Sequence, residues 1–277
     1  MSDLILQHLD DRGVMTITLN RPDSKNALNM RTGNLLEAAI DSAEMSPEVR
    51  VVVITGAGGS FCSGGDFKSF GSASDPNDTQ TARWQSNPLW NEIELKTRRF
   101  QKGFEAPRLL HTMGKPTIAM VRGPAVGAGV GLAASCDFRI VSESAYFMPG
   151  YIRMGLSPDY GTSFYMTKLL GSAKTRELYL LGDKVDAQEA LRIGLVNKVV
   201  NDADLERVTM ELAHRLAAGP PVAMQYTKEA INAAEARVLD DVLLVEARNF
   251  SRCFQTEDLK EAVRARMEKR SPTFKGR

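Results

Sequence analysis

Four glycines, Gly123, Gly127, Gly129 and Gly131, fall within nine positions of the stretch GPAVGAGVGLAASCD, which then runs into apolar, helix-favouring sequence. Glycine that dense at the mouth of a helix costs conformational entropy on folding, so something there needs bare backbone. A second cluster, Gly56-Ala-Gly-Gly-Ser-Phe-Cys-Ser-Gly64-Gly65-Asp66, follows the apolar run Val51–Thr55. Neither is a nucleotide loop: no GK[ST] follows the first cluster in the chain, and Gly127-Ala-Gly129-Val-Gly131 lacks the GxGxxG spacing. A GxSxG nucleophile elbow is also missing. Two glycine-rich turns, each after an apolar strand, can instead aim two backbone N–H groups at one carbonyl oxygen. A helix N-terminus adds free N–H groups and partial positive charge. Such a pair stabilises an enolate or a tetrahedral oxyanion, and one donor is worth about 3–4 kcal/mol. The plainer alternative is that small residues let a helix pack closely on a sheet.

Those turns must be carried by a frame. Leu4–Leu9 and Val14–Leu19 read as paired strands across the turn at Asp11-Arg12-Gly13. Asn29 caps an expected helix through about Glu44, with Leu35, Leu36, Ala39 and Ile40 on one face. Val51–Thr55, Thr117–Val121 and Phe138–Val141 have the continuous apolar character of strands buried on both faces. Their alternation with helical sequence argues for α/β layering. After Pro158 the chain turns helical: Lys168–Leu181, Ala187–Ile193, Asp204–Ala218, Val222–Ala234 and Val238–Phe254 carry apolar residues at spacings of three and four. Residues 71–88 have no period and read as a long surface loop.

The 277-residue chain is 43% apolar and 25% charged, an ordinary globular profile. Thirty-five Lys and Arg against thirty-four Asp and Glu leave a net charge of +1, which gives no electrostatic reason to expect nucleic acid or an anionic membrane. Cys62, Cys136 and Cys253 form neither a metal-binding spacing nor a disulfide framework. No metal is expected. The interrupted apolar start is no signal h-region, and no run approaches the roughly 18 apolar residues of a membrane span. A reduced, cytoplasmic setting is the expectation.

Six motifs in order, NRPDSKNAL, GAGGSFCSGGDF, RGPAVGAGVGLAASCD, MGLSPDYGTSF, DAQEALRIGLVNKVV and EKRSPTFKGR, resemble the enoyl-CoA hydratase/isomerase (crotonase) superfamily over essentially the whole chain. The resemblance implies an α/β fold, a crotonase-like spiral of ββα units with a C-terminal helical region. Residues 1–200 would form the core with the CoA and oxyanion sites, and residues 201–277 a helical region for oligomerisation and CoA cover. It implies a homotrimer or a dimer of trimers acting on an acyl-CoA thioester, with coenzyme A entering as part of the substrate and no separate cofactor. It also implies that the backbone N–H groups of Gly65 and Ala128 form the oxyanion hole.

The chain departs from the hydratase pattern at both acids. The position of the first family glutamate, one helical turn past Ala128, is Gly131, and matching FMPGYIRMGL puts Tyr151 at the second. Gly131 would enlarge the pocket and Tyr151 would line it. Asp159, in Leu156-Ser-Pro-Asp159-Tyr-Gly161, stands where several branches carry a catalytic aspartate, resembling dienoyl-CoA isomerases, ring-epoxide isomerases and aromatic-CoA dehalogenases. One carboxylate beside an enolate can shuttle a proton between carbons. The alternative is that Asp159 caps the helix that follows. Tyr146, Tyr151 and Tyr160 surround this segment as phenol donors, pocket lining or core packing. Lys25 and Ala27 match a stretch that contacts the nucleotide end of CoA, Lys68 could reach the phosphates, and Lys269 matches a lysine that contacts the nucleotide across a subunit boundary. The aromatic usual three positions before it is Arg266 here.

Three readings follow: an enoyl-CoA isomerase using Asp159, a hydratase or an acyl-CoA hydrolase or dehalogenase on the same fold, and a non-catalytic acyl-CoA-binding homologue. Specificity is expected in residues 71–88 and the helix through Trp84, Trp90 and Phe100.

Overall fold

A computed structural model of the chain describes residues 3–66, 86, 89 and 92–277. Lys68, most of the 71–88 loop, Trp84 and Trp90 therefore lie outside the described residues.

Strands β1 (Ile5–Leu9) and β2 (Val14–Leu19) form the expected antiparallel pair, with Leu9 opposite Met15. Asn29 caps α1 (Met30–Met45) through a hydrogen bond from Thr32 N to its side chain. β3 (Val51–Gly56), β4 (Thr117–Val121), β6 (Phe138–Ser142) and β9 (Lys198–Val200) extend the sheet in parallel, in the order β1-β2-β3-β4-β6-β9. A second, three-stranded sheet holds β5 (Pro124–Val126), β7 (Tyr146–Met148) and β8 (Val185–Asp186). The chain passes from β4 to β5 and from β6 to β7, each crossing followed by a helix, so strand–strand–helix units wind as a spiral. An isolated bridge between Cys62 and Ala125 ties the first glycine turn to the second sheet.

β3 shows why its sequence lacks alternation. Val52 and Ile54 face the cluster formed with α1, while Val51 and Val53 face a second cluster on the opposite side. That second cluster is closed by Leu205, Val208, Ala213 and Ala217. The helix carrying them, Leu205–Ala217, lies on the six-stranded sheet, although the reading of the sequence places it beyond the residue-200 boundary. Its apolar stripe is the only cover that face of the sheet has among the described residues.

The remaining helices are α2 (Ile93–Lys102), α3 (Glu105–Thr112), α4 (Ala128–Ala134), α5 (Thr162–Leu181) and α6 (Ala187–Arg192), then α7 (Leu205–Ala217), α8 (Pro221–Ala236), α9 (Leu239–Phe254) and α10 (Glu257–Met267). α5 starts six residues before the expected Lys168 and breaks at Gly171, whose φ of 76° is left-handed. α10 lies in the expected C-terminal helical region, is mostly charged, and is capped by the Thr256 side chain, which accepts from Leu259 N. β5, β7 and β8 are two or three residues long, too short to show a period, and exist only through their pairing. No helix among the described residues is long and apolar enough to cross a membrane.

Candidate active site

The two glycine turns meet. Gly127 has φ 52° and ψ −118°, a conformation open to glycine and strained for other residues. A side chain there would lie 3.9 Å from Gly64 Cα and 3.8 Å from Tyr151 Cζ. One residue further, a Cβ on Gly129 would collide with the Cys62 carbonyl, so only a bare backbone lets α4 approach the first turn. Close packing of these glycines is what brings the two turns together. Neither the Gly65 N–H nor the Ala128 N–H donates a hydrogen bond among the described residues. Ala128 opens α4, where the first N–H groups have no intrahelical acceptor. The segments around Gly65 and Ala128 are brought together, with those two donors unspent.

The first turn is held by the NRPDSKNAL segment, which runs alongside it. Ser63 N donates to Lys25 O at 3.0 Å, Leu28 N to Gly64 O at 2.8 Å, and Asp66 N to Leu28 O at 2.9 Å. Arg21 bridges the two segments, pairing with Asp66 at 2.8 Å and donating to Ala27 O at 2.5 Å. Asn26 donates to Ala57 O and Ser60 O from beneath. Asp66 is therefore a clamp. Lys25 is exposed beside the first turn, while Ala27 is buried, its N–H already donating to Ser24 O. Lys269 is exposed on the left-handed residue that follows α10, with φ 54°, and the neighbouring Arg266 is exposed too.

Tyr151 and Asp159 are joined directly. The Tyr151 hydroxyl donates to Asp159 Oδ1 at 2.7 Å. Tyr151 begins a short 3-10 turn (Tyr151–Met154) between Gly150 and Gly155, both left-handed. Its ring is 8% exposed and stacks on Tyr179 of α5, centroids 6.2 Å apart and planes 15° from parallel. Burial pushes the Asp159 carboxyl above its ordinary range, with the Tyr151 hydrogen bond pulling in the opposite direction. Burial also pushes the Tyr151 phenol up, reinforced by the neighbouring carboxylate, so the phenol stays protonated.

The structure corrects two expectations. Asp159 is no helix cap: the residue before α5 is Gly161, no side chain bonds there, and it is the Asp159 backbone carbonyl that accepts from Thr162 N and Oγ1. Nor does Gly131 open pocket space. A Cβ at Gly131 would meet both Thr162 Cγ2 and Tyr160 O at 2.8 Å, so the volume of the missing side chain is already filled. Gly131 is a contact glycine between α4 and the start of α5, not pocket lining.

Tyr160, adjacent to Asp159, is 5% exposed at φ 56°, packs edge-on against Phe104 at 5.7 Å, and its hydroxyl has no hydrogen-bond partner among the described residues. A left-handed tyrosine is strain of a kind found at functional sites. Tyr146 lies apart on β7 beneath Lys184, whose Nζ is 4.0 Å from the ring centroid. Tyr179 takes its place in the cluster. Nothing in the sequence marks Tyr179, which sits in helical sequence of no special pattern twenty residues past Asp159. Burial pushes the Cys62 and Cys136 thiols up to about 12, so neither is a thiolate nucleophile. Among the described residues no group of His, Cys, Asp or Glu could hold a metal ion.

The sequence matches the family model described as enoyl-CoA hydratase/isomerase over residues 10–277. It is 36% identical to a short-chain-enoyl-CoA hydratase of Clostridium acetobutylicum, over 93% of this chain and 92% of that protein. It is 34% identical to the 1,2-epoxyphenylacetyl-CoA isomerase of Escherichia coli strain K12, over the full length of both. Among solved structures it resembles an enoyl-CoA hydratase from Bacillus anthracis, with a TM-score of 0.86 at 29% identity, covering 99% of this chain and 100% of that one. An enoyl-CoA hydratase from Polaromonas sp. JS666 matches with a TM-score of 0.84 at 32% identity, covering 98% and 99%.

Proposed function

The chain belongs to the enoyl-CoA hydratase/isomerase family, and from that premise we propose that it is an acyl-CoA isomerase that moves a proton through a single aspartate. The thioester carbonyl binds between the N–H groups of Gly65 and Ala128. Asp159 removes a proton from Cα of a 3-enoyl thioester, and the electron pair flows into the carbonyl oxygen. The resulting dienolate is held by the two donors. Asp159 then returns the proton at Cγ, giving the 2-enoyl isomer, with no water gained or lost.

One observation carries this reading: Asp159 is a half-buried carboxylate whose hydrogen-bonded partner, Tyr151, lies against the Gly127 turn, and no second carboxylate bonds to either residue among the described residues. A single acid suits proton transfer between carbons. The substrate's CoA lies along the segment of Lys25 and Ala27, with Lys68 and Lys269 as further basic contacts, and no separate cofactor takes part. The apolar side chains exposed on α9 and α10, Leu239, Leu243, Leu244, Phe250, Phe254 and Met267, are covered in a homotrimer or a dimer of trimers.

A second reading is hydration of a 2-enoyl thioester, favoured by relatives named as hydratases. Here the Tyr151–Asp159 pair orders the attacking water. Mass spectrometry of aliphatic and aromatic enoyl-CoA thioesters, incubated with the protein in deuterated water, separates the two. Deuterium in the acyl chain or a moved double bond without added water supports the isomerase. Addition of water supports the hydratase, and loss of CoA supports neither.

A further inference from the structure

The geometry points to Tyr151 as the positioning residue of Asp159: its hydroxyl occupies Oδ1, orients the carboxylate and leaves Oδ2 as the one oxygen that exchanges protons with substrate. This rests on the proposed role of Asp159 and adds to it a residue at which the family's second acid is absent.

Both partners are fixed independently of the bond between them. The Tyr151 ring is buried, stacked on Tyr179, and its Cζ lies beside Gly127; its backbone carbonyl accepts from Leu156 N at 3.0 Å. The Asp159 backbone is anchored through Thr162, whose N and Oγ1 donate to its carbonyl at 3.0 and 2.9 Å. With both backbones held, the 2.7 Å hydrogen bond locks the carboxyl torsion. Oδ2 accepts no hydrogen bond from another residue among the described residues. The titratable groups that bear on Asp159 are Tyr151 from the 3-10 turn, Tyr160 beside it and Tyr179 from α5, all three phenols held neutral by burial. The Tyr151 hydrogen bond is the side-chain contact that favours the anion. A phenol that stays protonated has one proton to donate, and the Tyr151 hydroxyl gives it to Oδ1.

The test is a carboxyl titration by NMR on the full chain labelled with [4-13C]aspartate, the Asp159 signal being assigned by its loss in Asp159→Asn. Tyr151→Phe keeps the stacked ring and removes only the hydroxyl. The midpoint of Asp159 is expected to rise by about one pH unit or more, since the anion loses its donor. Coincident midpoints in the wild type and Tyr151→Phe overturn the inference. Should Tyr151→Phe fail to fold, [4-13C]tyrosine in the wild type reads the same bond from the other side. The Tyr151 signal is then expected to follow the Asp159 titration, and a Tyr151 signal flat through that titration overturns the inference. Deuterium exchange into the thioester panel by Asp159→Asn keeps the two claims apart. Exchange that persists removes the role of Asp159 itself. Exchange lost there, with the Asp159 midpoint unmoved by Tyr151→Phe, leaves Asp159 standing and removes only Tyr151.

Discussion

Tyr151 and Asp159 lie eight residues apart in the chain, and the hydroxyl of one meets the carboxylate of the other at 2.7 Å. The segment between them is largely exposed, so these two ends are where it turns inward. Their bond places the one candidate acid beside the turn that carries Ala128, because the Tyr151 ring end rests near Gly127. The chemistry proposed depends on this pairing, and so do the first two predictions.

Asp159→Asn keeps the shape of the side chain and removes the base. Proton exchange into accepted enoyl-CoA thioesters should fall by about 100-fold or more, the usual size of a general acid–base contribution. Affinity for the thioester should change little, because the proposed oxyanion donors and CoA contacts are untouched. Isotope incorporation alongside calorimetric binding checks both halves; exchange at wild-type rate would refute the role of Asp159.

The same substitution should stabilise the fold near neutral pH. Burial raises the Asp159 carboxyl above its ordinary 3.8. Between that value and the folded-state value, the native protein binds a proton that the unfolded chain has released. Stability therefore falls as pH rises through this window, and the penalty is complete above it. Asparagine carries no such penalty. Differential scanning calorimetry should show a higher Tm for Asp159→Asn at pH 7, with the gain shrinking toward pH 4. A gain that grows with acidity would contradict the burial argument.

Restoring a glutamate at position 131 should not create a hydratase. A Cβ there meets Thr162 Cγ2 and Tyr160 O at 2.8 Å, so α4 and the start of α5 must separate. Gly131→Glu is expected to cost about 1–3 kcal/mol or more, as overpacking does, and to displace Tyr160 and Asp159. Thermal melts show the cost, and water addition to a 2-enoyl thioester, if it appeared, would overturn the expectation.

Gly129→Ala tests the meeting of the two turns. Its methyl would press on the Cys62 carbonyl and push α4 from the first turn, moving Ala128 away from Gly65. Stability should drop by about 1–3 kcal/mol, and proton exchange should fall further than the melting temperature alone explains, since an oxyanion donor is worth about 3–4 kcal/mol. Exchange kinetics on the folded fraction measure the second effect.

The C-terminal helices leave Leu239, Leu244, Phe250 and Phe254 more than half exposed. Exposed apolar side chains in this number suit the proposed subunit interface. Light scattering is expected to give three or six times the 30.4 kDa chain mass, and Leu244→Asp should shift the mass downward. A monomer at micromolar concentration would count against the assembly.

Much of the frame was legible in the sequence because its causes are local or periodic. Val51–Thr55 announces a strand buried on both faces, and the structure divides its side chains between two cores. Asn29 is a cap in sequence and in space. The two glycine clusters announce that backbone must approach something closely, and the motif order carries the family. By contrast, the short strands β5, β7 and β8 exist only through pairing. The helix Leu205–Ala217 belongs to the sheet because that face had to be covered.

At the site the division is sharper. Residue types told where acids are missing and where one remains, since a glycine or a tyrosine has no carboxylate wherever it sits. Whether the gap left at Gly131 is space or packing depends on what comes from elsewhere, and Thr162 and Tyr160 fill it. Whether Asp159 caps a helix or faces inward depends on the left-handed backbone at Tyr160 and Gly161, which hands the helix start to Gly161 and frees the carboxylate for Tyr151. Tyr179 joins them from a helix twenty residues on, through ring stacking that no local pattern encodes. Composition and spacing fix which groups are present; only burial and close approach decide which of them share a hydrogen bond, because those depend on distances between segments far apart in the chain.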